Sequence, residues 1–242
     1  PEIAEIRHIK PYTTVHSPAA HTAFENAESL IQFIEKIRIL SAYKPVGFKI
    51  CIGKREEFEE IVQAMVKTGI YPDFISIDGA EGGTGAAPLE FIDHMGMALA
   101  DALSFANSTL IQFNIRQHIK LIASGKIITA FDIAKTIALG ADVCYSARGM
   151  MFSLGCIQAL QCDSGKCPVG IATQESSLYK GLDVSDKSVR VANYHTNTMK
   201  ALAEFIGACG YTNCNEIQAK TFFKRTSLNS FSNFNELYTQ KH

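Results

Sequence analysis

The sequence predicts an α/β protein organised on a parallel sheet. Short apolar runs alternate with segments of helical periodicity along the first 150 residues. The runs are apolar almost throughout, the pattern of strands covered on both faces. Several of them lead straight into turns rich in Gly and Ser, the place where parallel α/β proteins keep their sites.

The totals bound the rest. A chain of 242 residues can bury a sizeable core, as one large domain or two small ones. Hydrophobic content of 47% and charged content of 19% exclude a disordered chain. The net charge of -1 offers no broad basic field, so no nucleic-acid partner is expected. No run reaches the roughly 18 apolar residues of a spanning helix, so no membrane segment is expected in this chain. Pro1-Glu2-Ile3-Ala4-Glu5 lacks the basic start and apolar core of a signal peptide. With no initiator Met, the chain is expected to be a processed product or a piece of a longer one. Its seven cysteines, Cys51, Cys144, Cys156, Cys162, Cys167, Cys209 and Cys214, are odd in number and unevenly clustered. That argues against a disulfide framework and for a reducing, cytoplasmic setting.

Taken in order, the first twenty residues read as an irregular approach. Asn26-Ala27-Glu28-Ser29 offers a cap for a helix over Leu30 to Leu40, and Pro45 precedes a strand at Val46 to Cys51. Arg55 to Lys67 is an amphipathic helix ended by Gly69, and Asp73 to Asp78 is a second strand. The loop Gly79 to Pro88 then leads into a helical region over Leu89 to His118, expected to break near Asn107. Lys120 to Ala123 is a third strand, Ala130 to Leu139 a third helix, and Asp142 to Ser146 a fourth strand. Four such units are half of a closed eight-stranded barrel followed by a tail, or a smaller open sheet. A helix over Val189 to Ala208 follows, and residues 221–242 have weak periodicity.

Four places carry chemistry. Ser124-Gly125-Lys126 lies between a strand and a helix, where backbone N–H groups and the helix dipole favour a phosphate. Ala147-Arg148-Gly149-Met150 repeats that arrangement after the next strand. Either turn alone reads as ordinary strand-to-helix punctuation; the tandem favours the phosphate, since barrels grip it with the loops after their last two strands. Gly82-Gly83-Thr84-Gly85 lacks the spacing of a dinucleotide fingerprint or a Walker loop, but lets the backbone approach a flat ring or a carboxylate. Lys49, mid-strand among apolar neighbours, either points out at a sheet edge or reaches a site at the strand end.

The fourth place is the trio Cys156, Cys162 and Cys167, spaced C-x5-C-x4-C. Three thiolates suit a three-iron cluster, whereas structural zinc wants four ligands with close pairs. Single cysteines elsewhere read as buried thiols, with a catalytic thiol in a phosphate-binding barrel dehydrogenase as the rival.

These stretches together resemble the FMN-binding glutamate synthase family. The likeness runs through Pro45-Val46-Gly47-Phe48-Lys49, the loop Asp78 to Pro88, Ala123-Ser124-Gly125-Lys126, and Gly155-Cys156 through Cys162 to Cys167-Pro168-Val169-Gly170-Ile171-Ala172-Thr173-Gln174. It covers the chain to about Gly210. The resemblance implies a (β/α)8 TIM barrel holding FMN and a [3Fe-4S] cluster, with this chain supplying the last four units. Residues 1–150 would then be the barrel half, 151–175 the cluster loop, and 176–242 a helical extension and tail. Cys156, Cys162 and Cys167 would ligate the cluster, and Ser124, Gly125, Lys126, Arg148 and Gly149 would hold the FMN phosphate. Lys49 would face the flavin as the catalytic residue, and Gly82, Gly83, Thr84 and Gly85 would line the pocket.

The implied reaction is reductive amination of 2-oxoglutarate to L-glutamate through 2-iminoglutarate, with ammonia derived from glutamine. The other barrel half, a glutaminase domain, and a ferredoxin or NAD(P)H-dependent donor are the expected partners. A half barrel also has two open sheet edges, which suits a non-catalytic assembly module.

Overall fold

Each of the four expected strand–helix units forms, while the C-terminal third departs from expectation. The structure, a computed structural model, describes residues 1–16, 18, 20–82 and 90–238. A short helix, α1 (Glu2–Ile6), stands in the stretch expected to be irregular. Helix α2 (Ala27–Leu40) opens on a capping box: Asn26 Oδ1 accepts the Ser29 N–H at 2.9 Å and Ser29 Oγ accepts the Asn26 N–H at 3.1 Å. Strand β1 (Gly47–Ile50) leads to α3 (Arg55–Thr68), which Gly69 ends in the left-handed conformation. Strand β2 (Phe74–Asp78) is followed by the long loop and then α4 (Leu99–Gln112).

The helix expected over Leu89 to His118 is therefore shorter, and its break is not at Asn107. Asn107 lies inside α4, and the chain turns at Asn114, which takes a φ of 57°. Asn107 owes its importance to Arg116, whose guanidinium donates to Asn107 Oδ1 at 2.7 Å, the Ile119 and Gly140 carbonyls at 2.7 and 2.8 Å, and Asp142 at 2.8 Å. One half-buried side chain thus ties helix α4 to the two loops that enter β3 and β4. Strand β3 (Lys120–Ser124), α5 (Ala130–Ala138), β4 (Val143–Tyr145) and α6 (Arg148–Leu154) complete the four units.

The strands pair in parallel in the order β1-β2-β3-β4. Each lies beside its sequence neighbour, without the reversal of a doubly wound sheet. This is the topology of an arc of a (β/α)8 barrel.

The register separates the sheet into two unlike faces. Ile75, Ile77, Leu121 and Ala123 are fully buried and pack with Ile31, Phe58, Met65 and Leu103 of the helices in one core. The alternate residues in register, Lys49 with Ser76, Ser76 with Ile122, and Ile122 with Val143, point the other way. Lys49 and Val143 on the outer strands there are exposed, while Ser76 and Ile122 on the two central strands are buried, Ile122 outside the main core. The helices of the main core cover one face, and the second is buried only along its middle, not throughout as the apolar runs suggest. Parity explains the error: the open-face residues Phe74, Ile122 and Val143 are apolar too, so no alternation marks them.

Beyond the sheet, α7 (Ser176–Tyr179) precedes α8 (Val184–Ala208), a helix of 25 residues capped by Asp183. It begins five residues before the expected start at Val189, and it packs against α5 and α6. The tail is not only helical. Strands β5 (Phe223–Ser227) and β6 (Ser230–Asn233) form an antiparallel hairpin, followed by α9 (Phe234–Tyr238). Phe222 anchors it, stacking on Phe205 at 5.8 Å and meeting the edge of Phe131 at 5.5 Å.

Candidate functional site

The strand C-termini all open toward one side, and the loops after them converge there. Gly82, Ser124, Gly125, Lys126, Arg148, Cys156, Cys162 and Cys167 line one cavity of about 350 Å³. Tyr145, Met151, Phe152 and Leu160 supply apolar wall. Gly83, Thr84 and Gly85 lie outside the described residues. Lys49 and Gly149 are not among the cavity's walls.

The turn after β3 differs from its expected geometry. Gly125 has a φ of 146° and Lys126 one of 48°, so the chain reverses in two consecutive residues of positive φ. Helix α5 begins only at Ala130. Its N-terminus is closed by a capping box: Thr129 Oγ1 accepts the Asp132 N–H at 3.1 Å, and the Asp132 carboxylate accepts the Thr129 N–H at 3.0 Å. The turn expected to hold a phosphate is consequently not the N-terminus of a helix, and its cationic group is the Lys126 ammonium. That ammonium donates to both oxygens of Asp93, at 2.7 and 2.9 Å. The bond to Lys126 is the main reason the Asp93 carboxyl sits below the usual carboxylate range, with further help from the charges of His94 and Arg148.

The second turn holds Arg148 at the start of α6 and on the cavity wall. Gly149 is buried, and a Cβ there would lie 2.1 Å from Tyr194 Oη and 2.8 Å from Ser146 Oγ. Its role here is to let α8 pass close. Tyr194 in turn donates to the Ile128 carbonyl, and Ser146 Oγ donates to the Ile127 carbonyl at 2.8 Å. Together they clamp the two turns side by side.

Although β1 is an edge strand, Lys49 Nζ lies 2.7 Å from Asp78 Oδ2 at the C-terminus of β2, on the open face. Glu81, on the cavity wall, accepts the Leu99 N–H through both oxygens, at 3.0 and 2.9 Å, and so caps α4.

The cysteine loop is irregular, with the non-glycine residues Gln158 and Leu160 at φ values of 57° and 54°. Cys162 is exposed, Cys156 half-buried and Cys167 buried. The Cys167 thiol is held below its ordinary value by backbone N–H groups, foremost that of Ala172 and then those of Val169, Ile171 and Gly170. Amide donors around a sulfur are what a thiolate ligand takes up, so Cys167 fits a cluster. Among the described residues no three His, Cys, Asp or Glu side chains stand close enough together to hold a metal ion. Burial pushes the Cys144 thiol up to about 12, and burial followed by the charges of Asp78 and Glu81 raises Cys51. Neither has the depressed pKa of an activated nucleophile.

Asp78, Asp93 and Glu81 are the site carboxylates to which sequence reasoning gave no role. The available signal was a charge closing an otherwise apolar strand, at Asp78.

The comparisons with known proteins concern nearly the same span. Residues 1–212 match the family described as the conserved region in glutamate synthase. The glutamate synthase large subunit-like protein YerD of Bacillus subtilis is 43% identical over 209 residues, 86% of this chain and 40% of its own length. The archaeal-type glutamate synthase [NADPH] of Thermotoga neapolitana is 36% identical over the same shares. A ferredoxin-dependent glutamate synthase of Antithamnion sp. is 30% identical over 90% of this chain and 14% of its own. Among solved structures, a flavocytochrome b2 variant has a TM-score of 0.44 and 15% identity over 76% of this chain and 36% of its own, too slight a likeness to carry weight. The chain spans about 40% of the length of the first of these relatives. No helix among the described residues is long and apolar enough to cross a membrane. With a family match over most of its length, this chain belongs to the glutamate synthase family.

Proposed function

We propose that this chain is the flavin- and cluster-binding part of a glutamate synthase-type oxidoreductase that makes L-glutamate from 2-oxoglutarate. The observation that carries this reading is the shared cavity: phosphate-type and cysteine residues far apart in sequence line one space. Family membership supports it.

In this reading Lys126 and Arg148 hold the FMN phosphate, with Ser124 and Gly125 shaping the turn beneath it. Phosphate competes with Asp93 for Lys126, since an ammonium has three donors and Asp93 engages it with both oxygens. Cys156, Cys162 and Cys167 hold a [3Fe-4S] cluster, and Met151, Phe152 and Leu160 keep water from the space between the two groups. When bound, FMN supplies hydride to an imine carbon and the cluster supplies single electrons. Lys49 faces the flavin, and Gly82 with Gly83, Thr84 and Gly85 borders the pocket for 2-oxoglutarate. Residues 1–150 form the barrel half, 151–175 the cluster loop, and 176–242 the extension. Partners would be the remaining barrel half, a glutaminase source of ammonia, and an NADPH-dependent or ferredoxin donor, in a cytoplasmic setting.

The test is turnover by the full-length protein loaded with flavin and iron. Supplied with 2-oxoglutarate, glutamine or ammonia, and a reduced donor, it is expected to form L-glutamate. Flavin and cluster both present, with no glutamate made from either nitrogen source, would refute the assignment.

A further inference from the structure

Two buried side-chain oxygens among the described residues have no hydrogen-bond partner, Asp78 Oδ1 and Ser76 Oγ. Both belong to β2 on the open face, and the register sets Ser76 beside Lys49. Such orphans are uncommon in folded proteins, and their clustering in one spot calls for a cause. The spot is where Lys49 Nζ meets Asp78 Oδ2 at 2.7 Å. Stability does not explain the arrangement, because the Lys49 side chain is 58% exposed and an ion pair with so exposed a partner contributes little.

The Asp78 carboxylate is nevertheless tightly placed. A Cβ at Gly82 would lie 2.5 Å from Asp78 Oδ1 and 2.9 Å from the Gly79 carbonyl. Gly82 also donates its N–H to that carbonyl at 2.8 Å. A side chain at Gly82 would therefore crowd the Asp78 carboxylate. The chain accepts an orphaned carboxylate oxygen, and commits a glycine, to fix the group that Lys49 reaches.

The geometry points to Asp78 as a positioning residue for Lys49, holding its ammonium over the open face at the strand C-termini so that it presents its charge to the flavin. The inference rests on the proposed function, in that it takes the bound ligand to be FMN. Gly82 serves it indirectly, by leaving room for Asp78.

The test is sulfite binding to FMN in the full-length protein, followed by bleaching of the flavin band near roughly 450 nm. The sulfur lone pair forms the bond to flavin N5, and the ring takes the electron pair as an anion at N1–C2=O. A cation held nearby tightens this binding, whereas a purely structural residue has no direct effect on it. Lys49→Met is expected to weaken sulfite binding about tenfold or more. Asp78→Asn is expected to weaken it in the same direction by about fivefold, with FMN still bound, and to add nothing further to Lys49→Met. Gly82→Ala, which keeps both charges but crowds Asp78, is expected to act in the same direction and decides the matter should Asp78→Asn not fold.

Tighter sulfite binding in Asp78→Asn would overturn the inference, since Asp78 would then act as a bare negative charge. An unchanged affinity, or a loss additive with that of Lys49→Met, would overturn it equally. Wild-type protein that takes up no FMN would remove the proposed function and this inference together; the other outcomes sink the inference alone.

Discussion

The two faces of the β1–β4 sheet are made from the same short strands and do opposite work. On the helix side Ile75, Ile77, Leu121 and Ala123 are sealed at 0% exposure. On the other side Val143 and Tyr145 are 46% and 49% exposed, and Lys49 and Asp78 form an ion pair at the strand ends. Stability therefore sits on one face and the polar chemistry on the other, next to the cavity that Ser124 and Tyr145 help to line. An apolar strand in this sheet is thus not evidence of two helix layers; its second face is the interior side of a barrel arc.

The contrast can be broken most forcefully on the covered side. Ile77→Ala should cost about 3 kcal/mol in denaturant unfolding, since a fully buried side chain leaves a cavity among helix residues. Arg116→Ala should cost about 2 kcal/mol or more, because one half-buried guanidinium satisfies acceptors in α4 and in two loops. Its partner gives the pH dependence. Burial raises the Asp142 carboxyl, but the Leu121 N–H and the Arg116 guanidinium outweigh that and hold it low. A depressed folded pKa stabilises fully above the unfolded value, about 3.9, and is lost as pH falls from there through the folded value. Acid unfolding monitored by circular dichroism should accordingly flatten in Asp142→Asn, with lower stability near neutral pH.

On the site side, Lys126→Ala should weaken FMN binding about tenfold or more, read by quenching of flavin fluorescence. Asp93→Asn should tighten it by about threefold, because the competing anion is gone. The smallest effect belongs to the open face itself. Val143→Ser should change the stability of this chain by less than about 0.5 kcal/mol. Joined to the barrel half proposed above, the same substitution should cost about 1 kcal/mol or more, because that half would make the face interior.

Much of the fold was legible because its signals are local. Asn26 with Ser29, Gly69 after Lys67, and the apolar runs before Asp78 and Ser124 each announce an element within a few residues. The break in the long helix was misplaced because Asn107 looks like a stop, while its actual function, accepting from Arg116 nine residues on, is tertiary. The tail hairpin was missed because β5 is exposed along its whole length, so burial never imposed an alternation on it. At the site, residue types and order pointed to Ser124, Lys126, Arg148 and the cysteines. Nothing local marked Asp93 as the partner of Lys126 across 33 positions, or Gly149 as the gap for Tyr194. Close approach between distant elements is the information that a single sequence withholds.

The central claim is that one cavity serves both a flavin phosphate and a three-cysteine cluster. It is tested most directly by measuring FMN and iron together in the full-length protein and in two variants. Wild type should hold both, Arg148→Ala should lose FMN and keep iron, and Cys167→Ser should lose iron. A wild-type protein that binds neither FMN nor iron after anaerobic reconstitution, or a Cys167→Ser protein with undiminished iron, would contradict it.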